Sequence, residues 1–176
     1  SVFFVKTKEN EDPMNALNRG FYMTTVLGAI AFYFVTQAML GEQYLWFFGA
    51  GMIGMVMSIV FLLLTQYYTD HKFRPVKEIA RASEASPATN IIAGLAVGFE
   101  NVALPVVAIG AALWGSYTLG VNSGLEHGGL YGTAVATIGM LMSAMYVLAM
   151  DTFGPITDNA GGIVEMSNGS ESTRAI

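Results

Sequence analysis

The chain contains no cysteine and very little charge. Its 176 residues are 53% hydrophobic and only 12% charged. Without thiols there can be neither a disulfide nor a thiolate metal site, and the two histidines, His71 and His127, are too far apart in sequence to suggest a local zinc site. Any metal must therefore be held by oxygen ligands. The scarcity of charge excludes an ordinary soluble domain, and the few cations form no patch of the kind that binds nucleic acid. The opening "SVFFVKTKENEDP" does not read as a signal peptide, because its apolar stretch is short and its basic residues follow it. The sequence has no initiating Met and stops soon after its most suggestive motif, so it reads as a piece of a longer protein.

What the chain does have is long apolar runs. Four are long enough to cross about 30 Å of hydrocarbon, which takes roughly 20 helical residues. They run over 20–40, 44–66, 90–114 and 129–150, with a polar extension over 151–176. This predicts an all-α membrane protein with four transmembrane helices, part of a larger polytopic bundle. The first two would form an antiparallel hairpin across "GEQ", and the last two would be joined by "GSYTLGVNSGLEHG".

Charge decides the orientation. Lys6, Lys8 and Arg19 precede the first span, Lys72, Arg74, Lys77 and Arg81 lie between the second and third, and Arg174 follows the fourth. Lys and Arg stay cytoplasmic, so both termini and the middle loop are assigned to the cytoplasm. Trp46, Trp114 and Tyr117 fall near the opposite ends, where interfacial aromatics belong.

The spans differ in kind. The first two are bulky all round, which suits peripheral, lipid-facing helices. In the fourth, Gly132, Ala136, Gly139 and Ser143 form a stripe of small side chains that permits close helix approach, so this span is expected to be the more central. The third carries Gly94 and Gly98 in a GxxxG pattern, and Pro105 predicts a bend. Counted from Asn90, Glu100 lies about 16 Å into this span, near mid-membrane. A carboxylate there costs about 2.5–3.5 kcal/mol and needs a partner, a proton or water. It is either part of an ion relay or a structural carboxyl bonded to a neighbouring helix.

The stretch "DTFGPITDNAGG" follows the fourth span. Over roughly 33 Å of rise from Gly129, Asp151 reaches the cytoplasmic boundary and Asp158 lies beyond it. Seven residues are two helical turns, so an unbroken helix would put both carboxylates on one face, about 10 Å apart. Pro155 lacks the N–H that the Asp151 carbonyl would accept, which predicts a bend or widened turn. No cation lies near either aspartate in sequence. Two carboxylates beside Asn159 and the flexible Gly161-Gly162 suit a hard cation, above all Mg²⁺, which takes one or two carboxylates and completes its octahedron with water and phosphate oxygens. The alternative is a helix end followed by a solvated loop.

The segments "YYTDHKFRPVKEIARASEASPATNIIAGLAVGFENVALPV" and "GLYGTAVATIGMLMSAMYVLAMDTFGPITDNAGGIVEM" closely resemble the membrane-bound, ion-translocating inorganic pyrophosphatases. The similarity covers the chain from "DPMNALNRG" onward, and "GFENVALP" is closer to the prokaryotic form than to the plant vacuolar one. The resemblance implies a homodimer in a prokaryotic cell membrane, with about sixteen helices per subunit in an inner and an outer ring. This chain would supply roughly a quarter of a subunit, its fourth span belonging to the inner ring. The implied activity is Mg²⁺-dependent pyrophosphate hydrolysis coupled to H⁺ or Na⁺ transport, with K⁺ an activator in some members. Asp158 matches a family Mg²⁺ ligand and Asp151 a second motif acid. The resemblance assigns no catalytic residue to this chain and places the remaining aspartates, the substrate lysines and the ion gate outside it. A secondary transporter or channel with intramembrane carboxylates is the competing reading.

Overall fold

The computed structural model describes Val5 and residues 13–167, and they are almost wholly helical. Lys6, Lys8, Arg174 and the end of the 151–176 extension lie outside the described residues. Seven α-helices follow one another: α1 Pro13–Leu40, α2 Tyr44–Thr69, α3 Arg74–Ala85, α4 Pro87–Asn122, α5 Gly128–Leu141, α6 Ala144–Asp151 and α7 Phe153–Met166. The described residues fall into two compact units, 29–142 and 13–28 with 143–167.

In the first unit, α1 and α2 are joined by a 3₁₀ turn over Gly41–Gln43 that opens on Gly41 at φ +53°, a backbone angle that suits glycine. They double back as expected. The Tyr33 and Tyr44 hydroxyls are 3.3 Å apart, and the Phe32 ring lies against Gly51. Two stretches, Met14–Ala85 (which includes this hairpin) and Pro87–Asn122, are long and apolar enough to cross a membrane; α5 with α6 and α7 passes as a third when taken as one span.

The core forms where α2 meets α5 and the second half of α1: Phe32, Phe47, Met55 and Val135 are buried together, and the Phe47 ring meets Tyr131 edge-on at 4.8 Å. Small residues bring the backbones this close. A Cβ on Gly54 would overlap the Ala136 carbonyl, one on Gly139 the Gly51 carbonyl, and one on Gly132 the Ser116 carbonyl. The small-residue stripe of the fourth span is therefore the face that α5 presents to α2 and α4. The expectation that the second span is peripheral does not hold for this face of α2, where Ala50, Gly51, Gly54 and Ser58 are buried between the larger side chains. A bulky composition conceals a narrow row of small residues.

Helix α4 is 36 residues long against the 25 expected, a length of about 54 Å. Its start is set by Ser86, whose Oγ accepts the Thr89 N–H at 3.2 Å, followed by Pro87 in the first turn. At its far end Gly115 and Gly120, expected in the loop, lie inside the helix. Gly120 lacks a side chain because the Gly128 carbonyl packs directly against it. The turn back to α5 is confined to 123–127, with Gly124 and His127 at positive φ. The helix runs without a break through Pro105. A Cβ added to Gly94 or Gly98 would meet nothing within 4 Å, so their GxxxG face makes no close packing among the described residues.

The second unit holds the first half of α1 with α6 and α7. Phe21 is fully buried, and the Tyr146 phenol lies against Gly20.

Candidate functional site

The fourth predicted span is not one helix. It breaks first at Met142–Ser143 and again at Thr152, leaving α6 as two turns between the interruptions. The second break was expected from Pro155 and falls three residues before it. The N–H that proline lacks would otherwise bond the Asp151 carbonyl, so the ladder is weakest where α6 ends. Around this junction, polar side chains bond back to nearby carbonyls: Thr152 Oγ1 donates to Ala149 O at 2.8 Å, Thr157 Oγ1 to Gly154 O at 2.8 Å, and Asn159 Nδ2 to Pro155 O at 2.8 Å.

These bonds place the two candidate ligands differently. Asp151 is the last residue of α6, while Asp158 stands in the middle of α7, and both are exposed. Thr152 stands between the two helices as a one-residue interruption at φ −77° and ψ −16°, its N–H still bonded to the Leu148 carbonyl at 3.2 Å. Among the described residues, neither aspartate side chain takes part in a hydrogen bond or an ion pair. Nor does any group of three His, Asp or Glu side chains come together there to enclose a metal. Asn159 uses its amide N–H on the backbone, which leaves its carbonyl oxygen outward as a further hard donor. The residues fit Mg²⁺ as part of a ligand set: unpaired carboxylate oxygens on exposed helix, too few to complete the coordination shell.

Glu100 is not where the sequence suggested. It lies beside Tyr68, the next-to-last residue of α2, whose Oη donates to Glu100 Oε1 across a long 3.5 Å. Beyond the end of α2, Arg74 has its pKa raised by the hydrogen bond and charge of Glu78, and Glu100 adds to that effect. Glu100 is thus level with the end of α2 that the charge rule assigns to the cytoplasm. The rise from Glu100 to Asn122 is about 33 Å, enough by itself to cross the hydrocarbon. Counting from Asn90 puts the carboxylate too deep, because the first turns of α4 run alongside α3 before reaching that level. An exposed carboxylate beside a tyrosine and an arginine suits a boundary, not a buried relay.

The family model for inorganic H+ pyrophosphatase matches residues 1–176. The "K(+)-insensitive pyrophosphate-energized proton pump 2" of Moorella thermoacetica is 61% identical over 98% of this chain, which covers 26% of that relative. The "Pyrophosphate-energized proton pump 2" of Rhizobium leguminosarum bv. trifolii is 38% identical over 94% of this chain and 79% of the relative. A "Putative K(+)-stimulated pyrophosphate-energized sodium pump" of Bacteroides thetaiotaomicron is 34% identical over 94% of the chain and 23% of its own length. The chain thus spans about a quarter of the Moorella and Bacteroides relatives. A match over every residue sets aside the transporter or channel reading, and the chain belongs to the inorganic H+ pyrophosphatase family.

Proposed function

We propose that this chain forms four membrane spans of a pump that couples Mg²⁺-dependent pyrophosphate hydrolysis to H⁺ or Na⁺ transport across a prokaryotic cell membrane. In this reading the intact protein is a homodimer, and Asp158 and Asp151 are its metal-binding residues within this chain. The observation that carries the proposal is the pair of exposed, unpaired aspartates on either side of Gly154-Pro155, one closing α6 and the other in the middle of α7. When bound, Mg²⁺ supplies charge neutralisation of the diphosphate and an acidified water. Asp158 presents its carboxylate from the middle of α7, while Asp151, at the end of α6, stands where a movement of the spans would be felt first. The K⁺ terms in the relatives' names are consistent with K⁺ as an activator for some members.

Asp158→Asn keeps the size of the side chain but removes its charge. In the intact protein, pyrophosphate hydrolysis and ion uptake are expected to fall together by roughly 10²-fold or more, with membrane insertion unchanged. Asp151→Asn should cost less. Normal hydrolysis by Asp158→Asn at limiting Mg²⁺ would remove the metal-ligand role. The span count has its own test, since this chain contributes no cysteine. A cysteine replacing Glu126, whose side chain is 91% exposed, should react with an impermeant thiol reagent from outside, whereas one replacing the exposed Ser83 should react only after permeabilisation. Ser123 in the same outer turn is buried and would be a poor reporter. Reaction of both positions from the same side would mean an even number of crossings or none between them.

A further inference from the structure

We propose that the corner between α2 and α3 binds the headgroup of an anionic phospholipid. The loop expected between the second and third spans contains α3, a helix whose residues sort by face. Pro75 is buried, and Val76, Ile79 and Ala82 are half-buried, on the side toward α2 and α4. Arg74, Lys77 and Arg81 all stand exposed; at 100° per residue they occupy one stripe about 60° wide. Two of these cations are held in place. Lys77 Nζ donates to the Lys72 carbonyl at 2.6 Å, and Arg74 Nε to Glu78 Oε1 at 2.9 Å, which leaves the terminal guanidinium N–H groups free for the paired contact a phosphate favours. Arg81 has no partner among the described residues.

The nearby acids do not cancel the stripe. Glu78 is engaged by Arg74, Asp70 by His71 and the Lys72 N–H, and Glu100, whose charge also reaches Arg74, accepts from the Tyr68 hydroxyl, leaving Glu84 as the acid at the edge of the basic face. A lipid is favoured over a soluble anion by what surrounds the cations. They follow directly on the apolar α2, and Phe73, 39% exposed, packs on Tyr67 at 5.4 Å as an aromatic at a membrane boundary would. The start of α4 exposes Leu95 and Phe99, an apolar surface along which an acyl chain can lie. Headgroup and tail are thus both matched at the level of Glu100.

The test uses the intact protein in nanodiscs and a phosphatidylglycerol carrying a diazirine in its headgroup, with the corresponding phosphatidylcholine as the neutral control. Both leaflets of a nanodisc carry the probe, so the result depends neither on orientation nor on hydrolysis. Each cation should contribute roughly fivefold, so the phosphatidylglycerol should label residues 72–81 more than the phosphatidylcholine by on the order of a hundredfold, and each cation removed should lower that ratio about fivefold. Arg81→Gln, which breaks no ion pair, is the single variant to measure first; Arg74→Gln with Lys77→Gln and Arg81→Gln should abolish the preference. Equal labelling by the two lipids, or labelling unchanged in either variant, would overturn the proposal. Displacement by millimolar inorganic phosphate would also overturn it, by revealing a site for soluble anions.

Discussion

Helices α5 and α7 have the same length and are both rich in glycine, yet their glycines do opposite things. In α5, Gly128, Gly129, Gly132 and Gly139 are all buried, and a side chain on any of them would run into another segment. In α7, Gly154, Gly161 and Gly162 meet nothing within 4 Å, and no residue of the helix is buried. Glycine in α5 is a packing residue. In α7 it leaves the aspartate-bearing helix slender and conformationally loose, at a cost of about 0.5–1 kcal/mol per position relative to alanine. The pairing of a tightly seated helix with an open one suits a protein in which one part must stay fixed while the other meets a ligand.

The strongest way to break this comparison is to give α5 a side chain where it has none. Gly139→Leu forces an isobutyl group into the Gly51 backbone, which side-chain rotation cannot relieve. It is expected to destabilise the intact protein by about 3 kcal/mol or more. A marked fall in thermal midpoint and in yield from the membrane should report it. A midpoint within a degree or two of wild type would show that α2 and α5 are not seated on each other as described.

Much of this architecture is legible in the sequence. The all-helical membrane fold follows from long apolar runs, the hairpin from "GEQ", and the packed face of α5 from Gly132, Ala136 and Gly139 at helical spacing. The break at Met142–Ser143 is not legible, because "GMLMSAMYV" contains no proline and continues the apolar run without interruption. The end of α4 differs from expectation for a physical reason: glycine marks both turns and close approaches, and Gly120 is the second kind. Its start, by contrast, is signalled by Ser86-Pro87, and counting from Asn90 instead is what carries Glu100 to mid-membrane. For the site itself, the sequence offers two aspartates and their chemistry, while their separation by Thr152 depends on how the chain settles around Pro155. Among the described residues no group of three His, Asp or Glu side chains forms around them.

A smaller effect of opposite sign sharpens the comparison from the side of α7. Gly161→Ala places a methyl group in open space on a regular helix, so it should stabilise the intact protein by roughly 0.5–1 kcal/mol. The informative measurement pairs midpoint with turnover. A higher midpoint with slower hydrolysis would show that the looseness of α7 serves catalysis. A lower midpoint would mean that another segment packs on Gly161 as tightly as α2 packs on Gly139, and the contrast between the helices would vanish.

The smallest expected effect concerns α4, whose Gly94 and Gly98 carry the spacing most often associated with helix pairing but meet no neighbour here. Spacing alone does not distinguish a used face from an idle one. The α5 stripe is occupied because α2 offers Gly51 and Gly54 opposite it, so that two small surfaces meet, whereas no such surface faces Gly98 among the described residues. Gly98→Ala is therefore expected to shift the midpoint upward by no more than about 1 kcal/mol equivalent, through helix propensity alone. The parallel substitution Gly54→Ala, one methyl group on α2, drives a Cβ into the Ala136 carbonyl and should cost about 1–3 kcal/mol. The same change of atoms would then differ in sign between two helices of one chain. Equal losses at both positions would mean that the GxxxG face of α4 is occupied in the intact protein, and that α4 is held on two sides.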